Sequence, residues 1–422
     1  MQVRVCNSIS GDEVMVFQAE PSWKAERVFP QLGHLSEHGL RRLRLFCEDD
    51  EVLPDRSLGS LGAGDSLTLN LVFAPQRLAT ACWSQGYVKL WNMHTEECLW
   101  ESRHESESYG CLSTVSVSPP GADVPCMVTT SDDGTAKIWH LETGECLSTL
   151  DHEGAVNSAV FAPDGSSVVT ASSDGSARLW NAEDGQPLWT MWHEAGVTSA
   201  EFSPTDFALL TCLENNMAML WFMDEERRDH PLKLEGHEDV LGSATFSPDG
   251  TLALTASRDD TARLWDAKTG KLVHTLRETP GECEGPGRRV IAAFSPDGKL
   301  VVTCPVGVAT AKIWSLVTGQ CMRTFEGHSA RLCCAAISQD GTLLVTASCD
   351  QTAKIWNVAT GECLNTLEGH EMIVDSACFL PGGTGVLTHN NSGTAHAKVW
   401  KVETGECIRT FVPDVSLVAL VK

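Results

Sequence analysis

Basic residues are scarce in this 422-residue chain: 31 lysines and arginines stand against 56 aspartates and glutamates, a formal net charge of −25. The deficit is −4 across residues 1–73 (7 basic, 11 acidic) and −21 across residues 74–422 (24 basic, 45 acidic). Such a field repels nucleic acid and anionic membrane surfaces alike. The pairs Arg227-Arg228 and Arg288-Arg289 are isolated and read as solvated loop charges. Long apolar runs are missing too, none reaching the roughly 18 residues of a membrane span, and the N-terminus has no charged region ahead of an apolar core. The expectation is a cytoplasmic protein, with the nucleus left open. Signatures of catalysis are equally absent. No glycine-rich phosphate loop joins a strand to a helix, no Gly-x-Ser-x-Gly elbow occurs, and no cysteine pairs with a distant base. The chain therefore reads as a non-enzyme without a cofactor or metal.

What the chain does have is a repeat. Trp91, Trp139, Trp180, Trp221, Trp265, Trp314, Trp356 and Trp400 recur at intervals of 41 to 49 residues, each closing a short strand such as Val-Lys-Leu-Trp or Ala-Arg-Leu-Trp. That period suits a four-stranded propeller blade and is too long for helix pairs of about 34 residues. The clearest copy runs from Gly236 to Leu276, with four strand-like runs separated by the turn clusters Ser-Pro-Asp-Gly, Ser-Arg-Asp-Asp and Asp-Ala-Lys-Thr-Gly. A single blade buries its faces only against its neighbours, so the ring must close. The first unit begins only at Arg77 and lacks a certain inner strand. Val415 to Val421 is apolar enough to supply it. Ser66 to Pro75 competes, because Phe73-Ala74-Pro75 mimics Phe161-Ala162-Pro163 at the end of an inner strand.

These units resemble the WD-repeat propeller family, whose repeats begin with Gly-His and end with Trp-Asp. The resemblance covers about 350 residues and implies an all-β, eight-bladed propeller over residues 74–422. His152 and Asp174, His237 and Asp259, and His328 and Asp350 recur at a separation of 22 residues. A catalytic site needs one constellation, whereas a fold element is needed once per blade, so repetition argues for structure. The resemblance implies a buried network in each of three blades: His152, Asp174 and Trp180; His237, Asp259 and Trp265; His328, Asp350 and Trp356. Asn215, Val308 and Thr394 stand where other blades have the aspartate, and Gly281 to Arg289 replaces Gly-His. Those blades are expected to be less rigid.

Residues 1–73 carry no such repeat. Two alternating runs flank Ser10-Gly11-Asp12 as a β-hairpin; Trp23 to Gly33 reads as a helix limited by Pro30; and strands follow, ending in Ser66 to Phe73. The ββαββ order and Met-Gln start resemble ubiquitin, which implies a small α+β ubiquitin-like (β-grasp) domain over residues 1–73. There is no Gly-Gly terminus for conjugation. Arg44 stands where ubiquitin carries the isoleucine of its binding surface, and Arg41, Arg42 and Arg44 make that strand basic, which weakens recognition of a ubiquitin type.

Cys98, Cys146, Cys321, Cys363 and Cys407 each follow a repeat tryptophan by seven residues and read as small apolar fillers in a reduced compartment. The vicinal pair Cys333-Cys334 has no Cys-x-x-Cys partner set, and His389 and His396 are too loosely spaced for a metal site. Function should then lie on the propeller rim, where a rigid ring presents loops to peptides or folded proteins. The family analogy points to Asp132, Asn157, Glu214, Arg258, Arg331 and Asp375. Trp192, which replaces the glycine of Gly-His, is a candidate anchor or a packing residue over the blade junction. The leading expectation is a non-catalytic scaffold or adaptor, the propeller holding one protein and the N-terminal domain another. A substrate receptor or shuttle of the ubiquitin–proteasome system is a second reading, since Trp265 to Lys268 weakly resembles a Trp-Asp-x-Arg/Lys box. A structural subunit of a transport, cytoskeletal or ciliary assembly is a third.

Overall fold

A computed structural model of the chain describes residues 2–7, 13–18, 43–47, 50–51, 66–73 and 417–421 together with most of 77–411. The chain divides into two compact units, Met1–Leu78 with Asn92–Glu97, and Ala79–Trp91 with Cys98–Lys422.

In the first unit β1 (Gln2–Asn7), β2 (Glu13–Gln18), β3 (Leu43–Cys47), β4 (Asp50–Glu51) and β5 (Ser66–Phe73) form one mixed sheet of order β2-β1-β5-β3-β4. The hairpin partners β1 and β2 are antiparallel, whereas β1 and β5 run parallel, with Gln2 opposite Ser66. Parallel neighbours cannot be joined by a tight turn, so the intervening chain must cross over. The helix expected over residues 23–33, Arg41 and Arg42 lie outside the described residues; Arg44 sits in β3 opposite Val72.

The second unit consists of eight four-stranded sheets. Blade 2 shows the pattern: an inner strand Leu112–Val117, a second strand Cys126–Ser131, a third Thr135–His140 and an outer strand Cys146–Asp151, all antiparallel. Blades 3 to 8 follow, beginning with the inner strands Val156–Phe161, Val197–Phe202, Leu241–Phe246, Val290–Phe294, Leu332–Ile337 and Ser376–Phe379. Blade 1 takes Arg77–Ala81, Tyr87–Asn92 and Cys98–Arg103 from the start of the unit, and the C-terminal strand Leu417–Val421 lies beside Arg77–Ala81 as its inner strand. Ser66–Phe73 is hydrogen-bonded between β1 and β3 instead. A strand drawn from the far end of the chain completes blade 1 and pairs the flank of Arg77–Ala81 that would otherwise be open.

Among the described residues seven apolar clusters join successive blades. One of them packs Val128, Ile138 and Leu150 of blade 2 against Val156, Phe161, Val168 and Trp180 of blade 3. Each repeat tryptophan from Trp139 to Trp400 lies in such a seam. Second strands such as Cys126–Ser131, Ser167–Ser172 and Ala208–Leu213 are buried at every residue, because neighbouring blades cover both of their faces. This is why they read as unbroken apolar and β-branched runs.

The outer strands correct one expectation. Cys98, Cys146, Cys321, Cys363 and Cys407 are exposed, not packed fillers. Each opens the outer strand of its blade, where only one flank is hydrogen-bonded.

Candidate functional site: the rim of the turn aspartates

The turn between second and third strands carries the aspartate and lies at the same end of each blade as the start of the inner strand. Backbone bonds tie the two together. Asp132, Glu214, Arg258 and Cys349 follow their second strands directly, and their amides donate to Cys111, Gly196, Val240 and Arg331 at the inner-strand starts. All six rim candidates inferred from sequence therefore fall on one end of the ring. Asp132, Glu214 and Arg331 are exposed, and Asn157, Arg258 and Asp375 are half-buried.

Inner strands of blades 2, 3, 4, 5 and 7 bulge near their starts, skipping Ser113, Asn157, Thr198, Gly242 and Cys333 in the register. A bulge re-aims its side chain. Asn157 Nδ2 accordingly donates both to Ser173 Oγ (3.0 Å) and across the blade junction to the Val197 carbonyl (2.8 Å). In blade 2 Ser113 Oγ donates to Asp132 Oδ1 at 3.0 Å. Arg331 Nε donates to Cys349 Sγ at 3.1 Å, and the Asp375 amide bonds the His389 carbonyl.

Beneath this surface lies the polar network. In blade 3 His152 Nδ1 meets Asp174 Oδ2 at 3.0 Å, His152 Nε2 meets Thr170 Oγ1 at 2.6 Å, and Trp180 Nε1 donates to Thr170 Oγ1 at 2.8 Å. Blade 5 repeats this with His237, Asp259, Thr255 and Trp265, and blade 7 with His328, Asp350, Thr346 and Trp356. One arrangement satisfies every member: the imidazole donates from Nδ1 to the carboxylate, Nε2 accepts the threonine proton, and the threonine oxygen accepts the indole N–H. Burial lowers the pKa of His152 and His328, against the pull of the adjacent aspartate. For Asp174 and Asp350 burial opposes ionisation. The hydroxyls of Ser176 and Thr352, the histidines and the backbone amides outweigh it and hold both carboxyls at about 2.

Threonine is the member that the sequence reading missed. A Trp Nε1–H donates to a second-strand threonine in all eight blades: Thr80, Thr129, Thr170, Thr211, Thr255, Thr303, Thr346 and Thr388. Each stands 10 to 12 residues before its tryptophan, a spacing nearly as regular as the histidine–aspartate interval.

The other blades vary the theme. In blade 2 the ring of His104 is reversed, Nδ1 meeting Thr129 at 3.0 Å and Nε2 meeting Thr135 at 2.7 Å. In blades 4 and 8 His193 and His370 keep the threonine bond through Nε2, but their buried Nδ1 atoms have no hydrogen-bond partner. Burial drives His104, His193 and His370 down to about 4. Blade 6 replaces histidine with Glu278, whose amide bonds the Asp260 carbonyl as the His152 amide bonds that of Gly134. The Glu278 carboxylate accepts from Thr303, which accepts from Trp314 Nε1, and is neutralised by Lys312 Nζ at 2.8 Å. The loss of Gly-His there is a change of chemistry that still satisfies threonine and tryptophan.

Trp192 ends the outer strand of blade 3 and is 63 % exposed, with the Arg178 guanidinium 6.0 Å from its ring centre. Arg178 is itself held by the Asp151 carbonyl and Asp174. Trp189 points elsewhere, edge-on to Trp221 and beneath Arg228. At the opposite end of the blades a cavity of 440 Å³ is lined by Phe222, Phe246, Arg227 and Lys268. Among the described residues no three His, Cys, Asp or Glu side chains cluster as metal ligands.

The "WD domain, G-beta repeat" family model matches residues 144–181, 229–266 and 319–357. Those segments end one residue after Trp180, Trp265 and Trp356, the tryptophans of the three complete networks. The ring is a propeller carrying WD40 repeats. Among solved structures it is similar to a computationally designed protein, Ika8, at 25% identity over 78% of this chain and 94% of that chain, with a TM-score of 0.62. A comparison with curated proteins gives no match. WD40 propellers are in general scaffolds for protein–protein interaction.

Proposed function

We propose that the protein is a non-catalytic adaptor that holds a protein or peptide on the rim of the turn aspartates. Trp192 carries this reading. A large aromatic side chain left 63 % exposed beside a pinned arginine loses little conformational freedom on being covered and contributes strongly to binding when it is. Asp132 and Glu214 with Arg258 and Arg331 place both signs of charge at the same end of the ring, suited to a partner of mixed charge. Trp192→Ala should abolish capture of rim partners at an unchanged melting temperature. A fall in melting temperature without loss of capture would assign Trp192 to packing.

The N-terminal unit acts in this reading as a ubiquitin-like module that tethers a second partner. The mixed sheet with parallel β1 and β5 supports it. Native purification of the intact chain and of a chain lacking residues 1–73, with bound proteins identified by mass spectrometry, separates the outcomes. Proteasome or ligase subunits lost with residues 1–73 indicate a degradation adaptor. One stoichiometric assembly retrieved by both indicates a structural subunit.

A further inference from the structure

Where the inner strand bulges, its bulge residue and the residue after the second strand can meet at the rim, as Ser113 with Asp132 and Asn157 with Ser173 do at 3.0 Å. Blade 7 fills both positions with cysteine. Cys333 Sγ lies 3.4 Å from Cys349 Sγ, and both are half-buried and accessible from the rim. A disulfide needs a sulfur separation of about 2.05 Å, which small side-chain rotations reach, because the bulge leaves Cys333 outside the ladder register. The Arg331 guanidinium donates from Nε to Cys349 Sγ at 3.1 Å, so the cation contacts Cys349 directly and acts on Cys333 through space. Among the described residues Asp375 is the other charged group acting on the pair, with the thiols Cys334 and Cys304 lying deeper. Burial, Cys349 and Asp375 push Cys333 up to about 12, which disfavours Cys333 as the attacking thiolate.

We propose that Cys333 and Cys349 form a peroxide-oxidised dithiol site, with Cys349 as the nucleophile, Arg331 as its positioning residue and Cys333 as the resolving thiol. The Cys349 thiolate attacks the outer oxygen of a hydroperoxide; the O–O bond breaks, the alcohol or water leaves with a proton, and Cys349 becomes a sulfenic acid. The Cys333 sulfur then attacks Cys349, the S–O bond breaks, and hydroxide leaves with the Cys333 proton as water. Two thiols lose two electrons and the hydroperoxide gains them. The proposal does not depend on what binds the rim.

Treatment of the reduced full-length protein with one equivalent of hydrogen peroxide, followed by alkylation and peptide mapping, tests it. The expected product is a Cys333–Cys349 cross-linked peptide, reversible by dithiothreitol, formed before the exposed Cys98, Cys146, Cys321, Cys363 and Cys407 react. Cys333→Ser should leave Cys349 as a sulfenic acid trapped by dimedone, and Cys349→Ser should yield neither product. Arg331→Met should slow Cys349 alkylation at pH 7 about five-fold or more, with Arg331→Lys restoring part of the rate. The proposal is overturned if the outer-strand cysteines oxidise as fast as Cys349, or if Cys349 oxidises in the wild-type chain without forming the cross-link.

Discussion

Blades 3, 5 and 7 and blades 2, 4, 6 and 8 share one backbone plan but satisfy their buried polar groups differently. In the first set every ring nitrogen, hydroxyl and indole N–H of the network has a partner, and the carboxylates of Asp174 and Asp350 are held ionised. In the second set the threonine–tryptophan bond is kept while the carboxylate end is rearranged, replaced or lost. The difference teaches that the threonine–tryptophan bond is the constant element of the blade. The histidine–aspartate pair is an addition that stiffens the rim turn above it.

Acid should break this comparison most widely. His104, His193 and His370 titrate near 4 in the folded chain against 6.5 when unfolded. Between these values the unfolded chain binds more protons, so stability is full above about pH 6.5 and falls as the pH drops toward 4. The summed loss is on the order of several kcal/mol. Amide exchange at pH 4.5 should open blades 2, 4 and 8 ahead of blades 3 and 7, whose Asp174 and Asp350 contribute until the pH falls from about 4 through about 2. Equal exchange across all blades would contradict this.

Next in size is blade 6. Lys312→Met leaves the Glu278 carboxylate buried and unneutralised, and should cost about 3–5 kcal/mol by the denaturation midpoint. Adding Glu278→Gln should recover most of that. If the single variant melts like the wild type, the ion pair is not what holds the blade.

The comparison sharpens at single residues. Asp259→Ala removes the acceptor of His237 Nδ1–H and should cost about 1–3 kcal/mol. Asn215→Ala, at the matching position of blade 4, should lie within about 0.5 kcal/mol of wild type. The smallest effect is a repair: Asn215→Asp should give His193 Nδ1 a partner, stabilise by about 1 kcal/mol, and raise the His193 pKa above about 4 in a histidine proton titration. An unmoved titration would mean that the aspartate does not reach the ring.

Much of the ring was legible before any coordinates. Eight tryptophans at blade spacing implied eight sheets, and the 22-residue interval singled out the three blades whose histidine and aspartate meet. The threonines were legible in principle, since their offset from tryptophan is nearly constant. They passed unnoticed because threonine is an ordinary strand residue and gives no chemical signal by itself. Glu278 with Lys312 was not legible, because the two stand 34 residues apart in a stretch where the repeat motif lapses. The exposure of the outer-strand cysteines was misread, since periodicity reports that a position is equivalent in every blade and not which side of the sheet it faces.

By itself the sequence determined the repeat, the blade count and the polar triads, because these depend on local spacing that the strand and turn geometry of each unit converts directly into contacts. Only the tertiary structure decided which strand completes blade 1, what neutralises Glu278, that Cys333 faces Cys349, and that the rim residues share one end of the ring. Those are contacts between segments distant in sequence or re-aimed by a bulge. They follow from closure of the ring and from the register of neighbouring strands, and a linear pattern carries neither.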